Sequence, residues 1–342
     1  MSKKVLIALS GGVDSSMSVK LLLEKGYELN GVYMKLHNNE EYHKKNIEKV
    51  QKVAKFFGIK AEILDFTEIF NEKVYKPFVE IYKNGQTPNP CAFCNKNIKF
   101  GELFSYAKKN GFDFLATGHY ARIFENKIKV AVDLSKDQSY FLANIDPKII
   151  PNLIFPLGEF YKTQIKEMAA NIPEICELST QKESSEICFV PNSYTEILEK
   201  HFQIKKEGKV KNLKGDIIGK HFGYANYTIG KRSGFRIDGA HEPHYVVKID
   251  AKNNEIIVGK KEDLAINEIY LQNLKIFDEN FIKDGEILGF CKVRYRSEKT
   301  QIKLTINDKK IEFSKPVFGV ASGQLAVIYD ENDCIIASGF IN

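Results

Sequence analysis

The stretch Val5-Leu6-Ile7-Ala8-Leu9-Ser10-Gly11-Gly12-Val13-Asp14-Ser15-Ser16 runs from an apolar segment into a glycine pair and then into a helical pattern that ends near Lys25. Adjacent glycines let the backbone curl so that several N–H groups point at one anion, and the positive end of the following helix adds to that field. The Gly-Lys-Ser/Thr ending of a Walker A motif is missing, so a lysine-clamped γ-phosphate is not indicated. The stretch predicts a phosphate loop at a strand-to-helix turn, and an ordinary glycine-rich turn is the alternative.

Strand-like and helix-like patterns alternate along the first third of the chain. The predicted strands cover Val5–Leu9, Leu29–Leu36, Ala61–Phe66 and Phe112–Thr117. Between the second and third, apolar residues recur at helical spacing up to Phe57, and Gly58 follows as the residue that ends the helix. This alternation predicts an α/β fold with a doubly wound parallel sheet covered on both faces. Ligands bind such sheets at the carboxyl ends of the strands, where the phosphate loop lies.

Composition limits the class of protein. A chain of 342 residues exceeds one usual domain core, so two or three domains are expected. The first apolar run is too short for a signal peptide and no window approaches about 18 apolar residues, which predicts a cytoplasmic protein with no membrane partner. The net charge of +6 permits a polyanionic partner without requiring one.

Two of the six cysteines form a C-x-x-C pair, Cys91 and Cys94, in a proline-rich segment that presents them at the start of a helix predicted from about Asn95 to Lys109. In a long chain without a secretion signal, a disulfide framework is not indicated. A structural zinc would need two further nitrogen or sulfur ligands, and no second C-x-x-C or H-x₃₋₅-H pair exists, so no structural zinc is expected. Buried inert cysteines are the other alternative. A reactive pair is favoured, because a helix N-terminus favours the thiolate.

Beyond about His201 the pattern changes to short strands punctuated by glycine. A lysine run between Lys205 and Lys214 suits a solvated surface as well as it suits an RNA contact. Alternating runs such as Ile302-Lys303-Leu304-Thr305-Ile306 predict an antiparallel β-barrel or sandwich. The sequence therefore predicts three domains: a catalytic domain over 1–200, a central β-rich domain over 201–265 and a C-terminal β-barrel over 266–342.

Several motifs resemble those of one family. Ser10-Gly11-Gly12-Val13-Asp14-Ser15-Ser16 is similar to the pyrophosphate loop of the N-type ATP pyrophosphatases (PP-loop proteins). The segments at 87–95, 117–121 and 136–142 and the one around Cys188 occur in the order seen in the tRNA-uridine 2-sulfurtransferases, the MnmA family. Segments at 219–224, 227–232, 243–247, 294–296 and 316–327 extend the resemblance over essentially the whole chain. The resemblance implies a parallel sheet of the PP-loop type, which is similar to the fold of the adenine nucleotide α-hydrolases.

The resemblance implies a reaction. ATP would adenylate O2 of the wobble uridine (position 34) of tRNA, AMP and pyrophosphate would be released, and a persulfide on Cys188 would deliver the sulfur that makes 2-thiouridine. Cys94 would be the partner that releases sulfur and forms a transient disulfide with Cys188. Implied partners are tRNA with Lys, Glu and Gln acceptors, and a cysteine desulfurase or sulfur-relay protein. The implied cofactors are ATP and Mg²⁺.

The resemblance also implies site residues. The ATP-binding set is Ala8, Leu9, Ser10, Gly11, Gly12, Val13, Asp14, Ser15, Ser16, Met34 and Gly118, with no dedicated metal site but with Mg²⁺ near Asp14. The target-base set is Asn89, Pro90 and Cys91. The tRNA-binding set is His119, Lys136, Asp137, Gln138, Arg294, Tyr295, Arg296 and Gln324. The alternatives are a helix N-cap for Asp14, core and turn positions for Met34 and Gly118, a structural hydrogen bond for His119 and surface positions for the arginines.

Some positions depart from the family pattern. Glu186 replaces a glycine two residues before Cys188, a change that would place a negative charge near the thiol. Ala321 and Ser322 precede Gly323, so the proline of a PGQ element is absent, and Cys91 lies where the family reserves no cysteine. Two other functions stay open: a PP-loop ATP pyrophosphatase that adenylates a small metabolite, and an RNA-binding paralogue without activity.

Overall fold

The computed structural model describes residues 2–180, 187–190, 193–239 and 242–342, which divide into two compact units. The first unit holds 2–74, 91–180 and 332–335. The second holds 75–90, 187–190, 193–239, 242–331 and 336–342.

The regular elements follow in chain order. The strands are β1 (Lys4–Leu9), β2 (Glu28–Lys35), β3 (Lys60–Asp65), β4 (Phe114–Ala116), β5 (Arg122–Phe124), β6 (Lys127–Lys129), β7 (Leu153–Ile154), β8 (Gly208–Lys211), β9 (Ile217–His221), β10 (Phe235–Ile237), β11 (Tyr245–Asp250), β12 (Glu255–Gly259), β13 (Ala265–Ile276), β14 (Glu286–Lys292), β15 (Thr300–Thr305), β16 (Lys310–Phe318), β17 (Leu325–Tyr329) and β18 (Ile335–Ile341). The α-helices are α1 (Val13–Glu24), α2 (Glu40–Phe57), α3 (Thr67–Phe70), α4 (Lys76–Lys83), α5 (Pro90–Cys94), α6 (Leu103–Lys109), α7 (Ser139–Leu142), α8 (Lys162–Ala170), α9 (Cys176–Ser179) and α10 (Tyr194–Glu199). Two π-helical turns, Asn71–Tyr75 and Asn95–Glu102, join neighbouring helices, and 3₁₀ turns cover Pro147–Asn152, Tyr224–Asn226, Glu262–Leu264 and Glu279–Phe281.

The first unit is built on a five-stranded sheet in the order β3-β2-β1-β4-β7, with every neighbouring pair parallel. The chain leaves β1 toward β2 and β3 and later returns to the other side of β1 with β4 and β7. The strand order therefore reverses between β1 and β4, which is where doubly wound sheets bind ligands. The predicted α/β fold is confirmed.

Apolar side chains on α1 divide between two cores. Val19 and Leu22 pack with Ile7 of β1 in one core, whereas Met17 and Leu21 pack with α8 and α9 in another. A helix that is apolar on two sides must be covered on both. This places the start of α1 firmly between the sheet and α8.

The second unit contains a mixed five-stranded sheet in the order β10-β9-β8-β12-β11 and a closed barrel in the order β13-β16-β15-β14-β17-β18. The described barrel pairs are antiparallel, and inward side chains such as Ile287, Leu304 and Ile328 fill its core. Closure leaves no open edge among these strands. The predicted β-rich centre and C-terminal β-barrel are confirmed, and the first four residues of the run that began at Ile302 lie in β15.

Two sequence-based bounds were wrong. The strand predicted over Phe112–Thr117 is limited to Phe114–Ala116. The helix predicted from Asn95 begins at Pro90, because proline fits the first turn of a helix, where its missing N–H has no partner to lose. Cys91 and Cys94 thus lie at the start of the helical segment, as predicted, but inside its first turn. Gly58 ends α2 as predicted, with a φ of 66°.

Within the described residues, no helix has both the length and the apolar character needed to cross a membrane.

Candidate functional site

The loop between β1 and α1 is shaped by Gly11. Its φ is +77°, and a Cβ there would lie 3.1 Å from Lys49 Cβ and 3.2 Å from the Asn46 carbonyl oxygen. Gly12 is the residue before α1, in an extended conformation, and α1 receives no side-chain cap there. The first N–H groups of a helix lack intrahelical acceptors, so an end without a side-chain cap is suited to an anion. The loop lies at the carboxyl end of the central strand, as expected.

Serine hydroxyls hold the loop in this shape. Ser15 Oγ donates to Gly12 O at 3.1 Å and accepts the Ser10 N–H at 3.2 Å. Ser16 Oγ donates to the same carbonyl at 3.0 Å. Ser15 and Ser16 are buried, whereas Ser10 is exposed. Ser15 and Ser16 therefore maintain the curl, and Ser10 presents its hydroxyl at the surface of the loop.

Gly118 follows β4 and lies against the first turn of α1. A Cβ at this position would meet the Asp14 carbonyl carbon and the Ser15 nitrogen, each at 3.2 Å. Glycine permits this close approach, which fixes the two strand ends relative to each other. Met34, near the end of β2, is half-buried. The structure thus brings Gly118 to the loop.

Asp14 forms an ion pair with Lys162 at the start of α8. Lys162 Nζ donates to both Asp14 carboxylate oxygens, at 2.6 and 2.7 Å, and Tyr120 Oη donates to one of them at 2.9 Å. The ammonium also lies 5.6 Å from the centre of the Tyr120 ring. The Lys162 side chain is 8% exposed and that of Asp14 is 35% exposed. Asp14 is therefore not an N-cap: its carboxylate is neutralised by a buried cation.

The sequence did not reveal Lys162 or its support. The Lys162 N–H donates to Asp133 Oδ2 at 3.0 Å, and Ser135 bonds the other oxygen of that carboxylate. Tyr120 in turn has its N–H bound by Gln138 Oε1 at 2.9 Å. Lone lysines and tyrosines carry no sequence signal for such a role. Only the folded chain joins positions 14, 120 and 162.

The residues 136–138, predicted to bind tRNA, contribute to this internal network. Asp137 is buried and accepts hydrogen bonds from the Ala131 N–H at 3.0 Å and from the Ser139 hydroxyl at 2.7 Å. Gln138 bonds Tyr120, as described above. Lys136 is half-buried. The contacts shown for Asp137 and Gln138 are structural.

His119 is buried between Thr117 and Lys99. Its Nε2 lies 3.3 Å from Lys99 Nζ, and its Nδ1 lies 2.7 Å from Thr117 Oγ1. A lysine ammonium only donates, so Nε2 accepts and Nδ1 carries the proton toward Thr117. Burial, aided by the Lys99 charge, holds the pKa of His119 well below its usual range. The histidine is therefore a neutral structural hydrogen-bonder in the protein alone.

The predicted catalytic cysteines belong to different units. Cys94 is buried at the end of α5 in the first unit, next to Asn95, whose amide donates to Phe141 O at 2.9 Å. Cys188 is exposed in the second unit. Cys91 is half-buried. All six cysteines are present as thiols. Glu186, the departure predicted to affect Cys188, lies outside the described residues, as do Ser184 and Ser185.

Within the second unit, two predicted tRNA contacts bond the protein itself. Arg294 donates to Ile229 O at 2.9 Å, and Gln324 donates to the carbonyls of Thr87 and Pro88 at 3.0 and 2.9 Å. Tyr295 is half-buried and Arg296 is exposed. Asn89 and Pro90 of the target-base set are buried. Gln324 thus lies beside the start of that segment.

Metal-ligating side chains do not gather in the part of the chain that the structure describes: no group of three or more His, Cys, Asp or Glu is placed to hold an ion. Asp14 is a poor fit for Mg²⁺ as it stands. Both of its oxygens accept from Lys162, and a divalent cation at either would meet that ammonium within a few ångströms.

Family models match the chain in three consecutive segments. They are a tRNA methyl transferase HUP domain over residues 3–192, a tRNA methyl transferase PRC-barrel domain over residues 195–260, and an aminomethyltransferase beta-barrel domain over residues 267–341.

The chain is also similar to curated proteins that bear the name tRNA-specific 2-thiouridylase MnmA. The one from Campylobacter fetus is 57% identical over 340 residues, which cover 99% of each chain. The one from Campylobacter hominis is 51% identical over 368 residues, covering 99% of this chain and all of that protein. The one from Campylobacter lari is 53% identical over 342 residues, covering 99% of this chain and all of that protein.

Proposed function

The chain belongs to the tRNA-specific 2-thiouridylase family, and from that premise we propose that it uses ATP to convert the wobble uridine (position 34) of tRNA to 2-thiouridine. The observation that carries the proposal is the Ser10–Ser16 loop. It ends a central strand where the sheet order reverses, and the helix behind it has no side-chain cap. This is a site for the phosphates of ATP.

The first half of the reaction is activation of the uracil. The C2 oxygen is a poor leaving group and must be activated before sulfur can replace it. It attacks the α-phosphorus of ATP, pyrophosphate leaves, and an O2-adenylated uridine forms. The N–H groups at the start of α1 stabilise the negative charge of the departing pyrophosphate. Gly11 lets the loop pack against α2, and Gly118 lets the chain after β4 lie against the first turn of α1, so the two glycines keep the loop in its curled shape. The exposed Ser10 hydroxyl donates to Ser15 Oγ at 3.2 Å in the protein alone and turns from that partner to donate to a phosphate.

Lys162 prepares this loop by its pairing with Asp14. A bare carboxylate in the first turn of α1 would repel the triphosphate, and the buried ammonium removes that charge. When bound, Mg²⁺ supplies further charge neutralisation to the phosphates, and the Asp14 carboxylate is not its ligand in this arrangement. Tyr120 holds the carboxylate in place through its hydroxyl.

The second half is sulfur transfer. A persulfide on Cys188 attacks C2 through its terminal sulfur. Cys94 thiolate then attacks Cys188 Sγ, the S–S bond breaks, and its electron pair stays with the sulfur on C2 as AMP departs. A Cys94–Cys188 disulfide remains and is reduced by an external thiol before the next cycle. The exposure of Cys188 supports loading by a protein donor.

The tRNA enters with its target base flipped out of the anticodon stack, because a stacked base is not accessible to a pocket. Asn89, Pro90 and Cys91 receive that base. The substrates are tRNAs with Lys, Glu and Gln acceptors, and the sulfur comes from a cysteine desulfurase or a relay protein. The protein acts in the cytoplasm, where tRNA and ATP are present.

The experiment is mass spectrometry of nucleosides from tRNA incubated with the protein, ATP, Mg²⁺ and a persulfide donor. Cys188→Ser and Cys94→Ser are compared with Cys176→Ser, which removes another exposed thiol. We expect 2-thiouridine with the wild type and with Cys176→Ser, and none with the other two variants.

ATP–pyrophosphate exchange separates the two steps. We expect exchange to depend on tRNA and to survive in Cys188→Ser, because adenylation precedes sulfur transfer. Exchange without tRNA would instead favour a metabolite-adenylating enzyme, and RNA binding without any exchange would favour a paralogue without activity. Either result refutes the proposal.

A further inference from the structure

A second lysine lies close to the phosphate loop of the first unit. Lys99 Nζ lies 3.3 Å from Nε2 of His119. His119 directly follows Gly118, which packs against the first turn of α1. We infer that Lys99 is an anion-binding residue whose ammonium holds a phosphate of ATP beside this loop. The inference rests on the proposed function for the identity of the nucleotide.

The partners of Lys99 and Lys162 set the two lysines apart. Lys162 is buried, and the carboxylate of Asp14 neutralises its ammonium. Lys99 is half-buried, and within the described residues its ammonium contacts the imidazole of His119 and forms no ion pair with a carboxylate. An ammonium that is partly removed from water without a counter-charge raises the free energy of the folded protein, and a bound anion relieves that cost.

His119 orients the ammonium without cancelling its charge. Its Nδ1 lies 2.7 Å from Thr117 Oγ1, so its Nε2 accepts from Lys99. The rings of Phe100 and Phe155 lie 5.8 and 6.0 Å from the imidazole and enclose it. A lysine ammonium has three N–H donors, and one of them is directed at the imidazole. The other two are suited to the oxygens of a phosphate.

The backbone that carries Lys99 has a specific shape. It is the π-helical turn Asn95–Glu102, which begins directly after α5. A Cβ on Gly101 would lie 2.8 Å from the carbonyl oxygen of Lys96, so this turn requires glycine there. The amide of Asn95 donates to Phe141 O at 2.9 Å and anchors the start of the turn. Such π-helical turns are rare and occur frequently at functional sites.

The proposed reaction needs a positive charge of this kind. When O2 of the uracil attacks the α-phosphorus, the bond to the pyrophosphate oxygen breaks and negative charge leaves with the pyrophosphate. An ammonium that is not already neutralised stabilises that charge through N–H···O bonds, and it loses no proton in doing so. Asp14 already offsets the charge of Lys162, so Lys99 is the better suited of these two residues.

Calorimetry without tRNA tests the inference directly. We expect Lys99→Met to raise the Kd for Mg²⁺-ATP and for pyrophosphate about tenfold, because a charged contact to phosphate is lost. The Kd for adenosine, which has no phosphate, should not change. Lys99→Arg keeps the charge and should stay within about threefold of the wild type. Lys96→Met is the control, because it removes the same charge from an exposed position on the same turn.

Three outcomes separate the possibilities. An unchanged Kd for ATP in Lys99→Met overturns the inference, and a loss of tRNA affinity alone would assign the ammonium to a phosphate of the RNA. Equal losses of ATP and adenosine affinity also overturn it, since the lysine would then support the shape of the site. Selective loss of ATP and pyrophosphate affinity, in a protein whose wild type thiolates no tRNA, refutes the proposed function and supports the anion site.

Discussion

Replacing Lys162 with methionine isolates the role of the Asp14 ion pair. The change keeps most of the buried stem and removes an ammonium that makes two of the three hydrogen bonds shown at the carboxylate. Charged hydrogen bonds contribute roughly 1.5–3 kcal/mol each. Because Asp14 is 35% exposed and can regain water, we expect a net destabilisation of about 2 kcal/mol. That corresponds to a fall in melting temperature of about 5 °C.

The same change should weaken ATP binding. It leaves an uncompensated carboxylate in the first turn of α1, and a unit charge about 8 Å from a phosphate charge, at an effective dielectric constant near 40, contributes about 1 kcal/mol. We expect the Kd for ATP to rise about fivefold. Calorimetry measures it, and Lys166→Met, one turn further along α8, is a control with the same change in net charge.

A double variant decides between charge neutralisation and metal binding. Adding Asp14→Asn to Lys162→Met removes the offending charge, so ATP affinity should return to within about threefold of the wild type. If Asp14 were a ligand of Mg²⁺, the double variant would bind Mg²⁺-ATP more weakly than Lys162→Met alone. That result would refute the reasoning about the loop.

Further predictions concern the glycines and His119. Gly11→Ala should lower the melting temperature by more than Gly26→Ala. Both positions have φ near +78°, but only a Cβ at Gly11 would be crowded, by Lys49 and Asn46. Equal shifts in differential scanning fluorimetry would contradict this. Gly118→Val should reduce ATP–pyrophosphate exchange at least tenfold, since its side chain would press on the Asp14 backbone; exchange at the wild-type rate would show that the loop tolerates displacement. The pKa of His119 is held well below 6.5 in the folded protein. Below pH 6.5 the unfolded chain therefore binds a proton that the folded protein does not, so the stabilisation by the neutral imidazole, complete above pH 6.5, is lost as the pH falls. The stability difference between wild type and His119→Gln should therefore shrink from about pH 7.5 to about pH 5.5, as measured by urea unfolding, and a constant difference would contradict the burial argument.

Much of the fold and the position of the glycine-rich loop followed from local pattern. The alternation of apolar runs with helical spacing predicted the parallel sheet, and the glycine pair after Leu9 predicted the turn at its centre. Both depend on interactions between residues close in sequence, so they are visible without the tertiary structure. The family resemblance was confirmed by relatives that match the full chain. The start of the helix at Pro90 was missed, because proline ends one helix and begins another equally well.

The sequence by itself determined the sheet, the glycine-rich turn between β1 and α1, the barrel and the family. The tertiary structure alone decided what several polar residues do. From the sequence, Asp14 is predicted to be a helix cap or a metal contact. The structure shows instead that its carboxylate bonds Lys162, 148 positions away. Gln324 is predicted from the resemblance to bind tRNA, and only the structure shows that its amide also bonds the carbonyls of Thr87 and Pro88. The physical reason is that periodicity encodes which face of an element is buried, whereas a hydrogen bond or ion pair between distant residues depends on where the packed elements bring single side chains together.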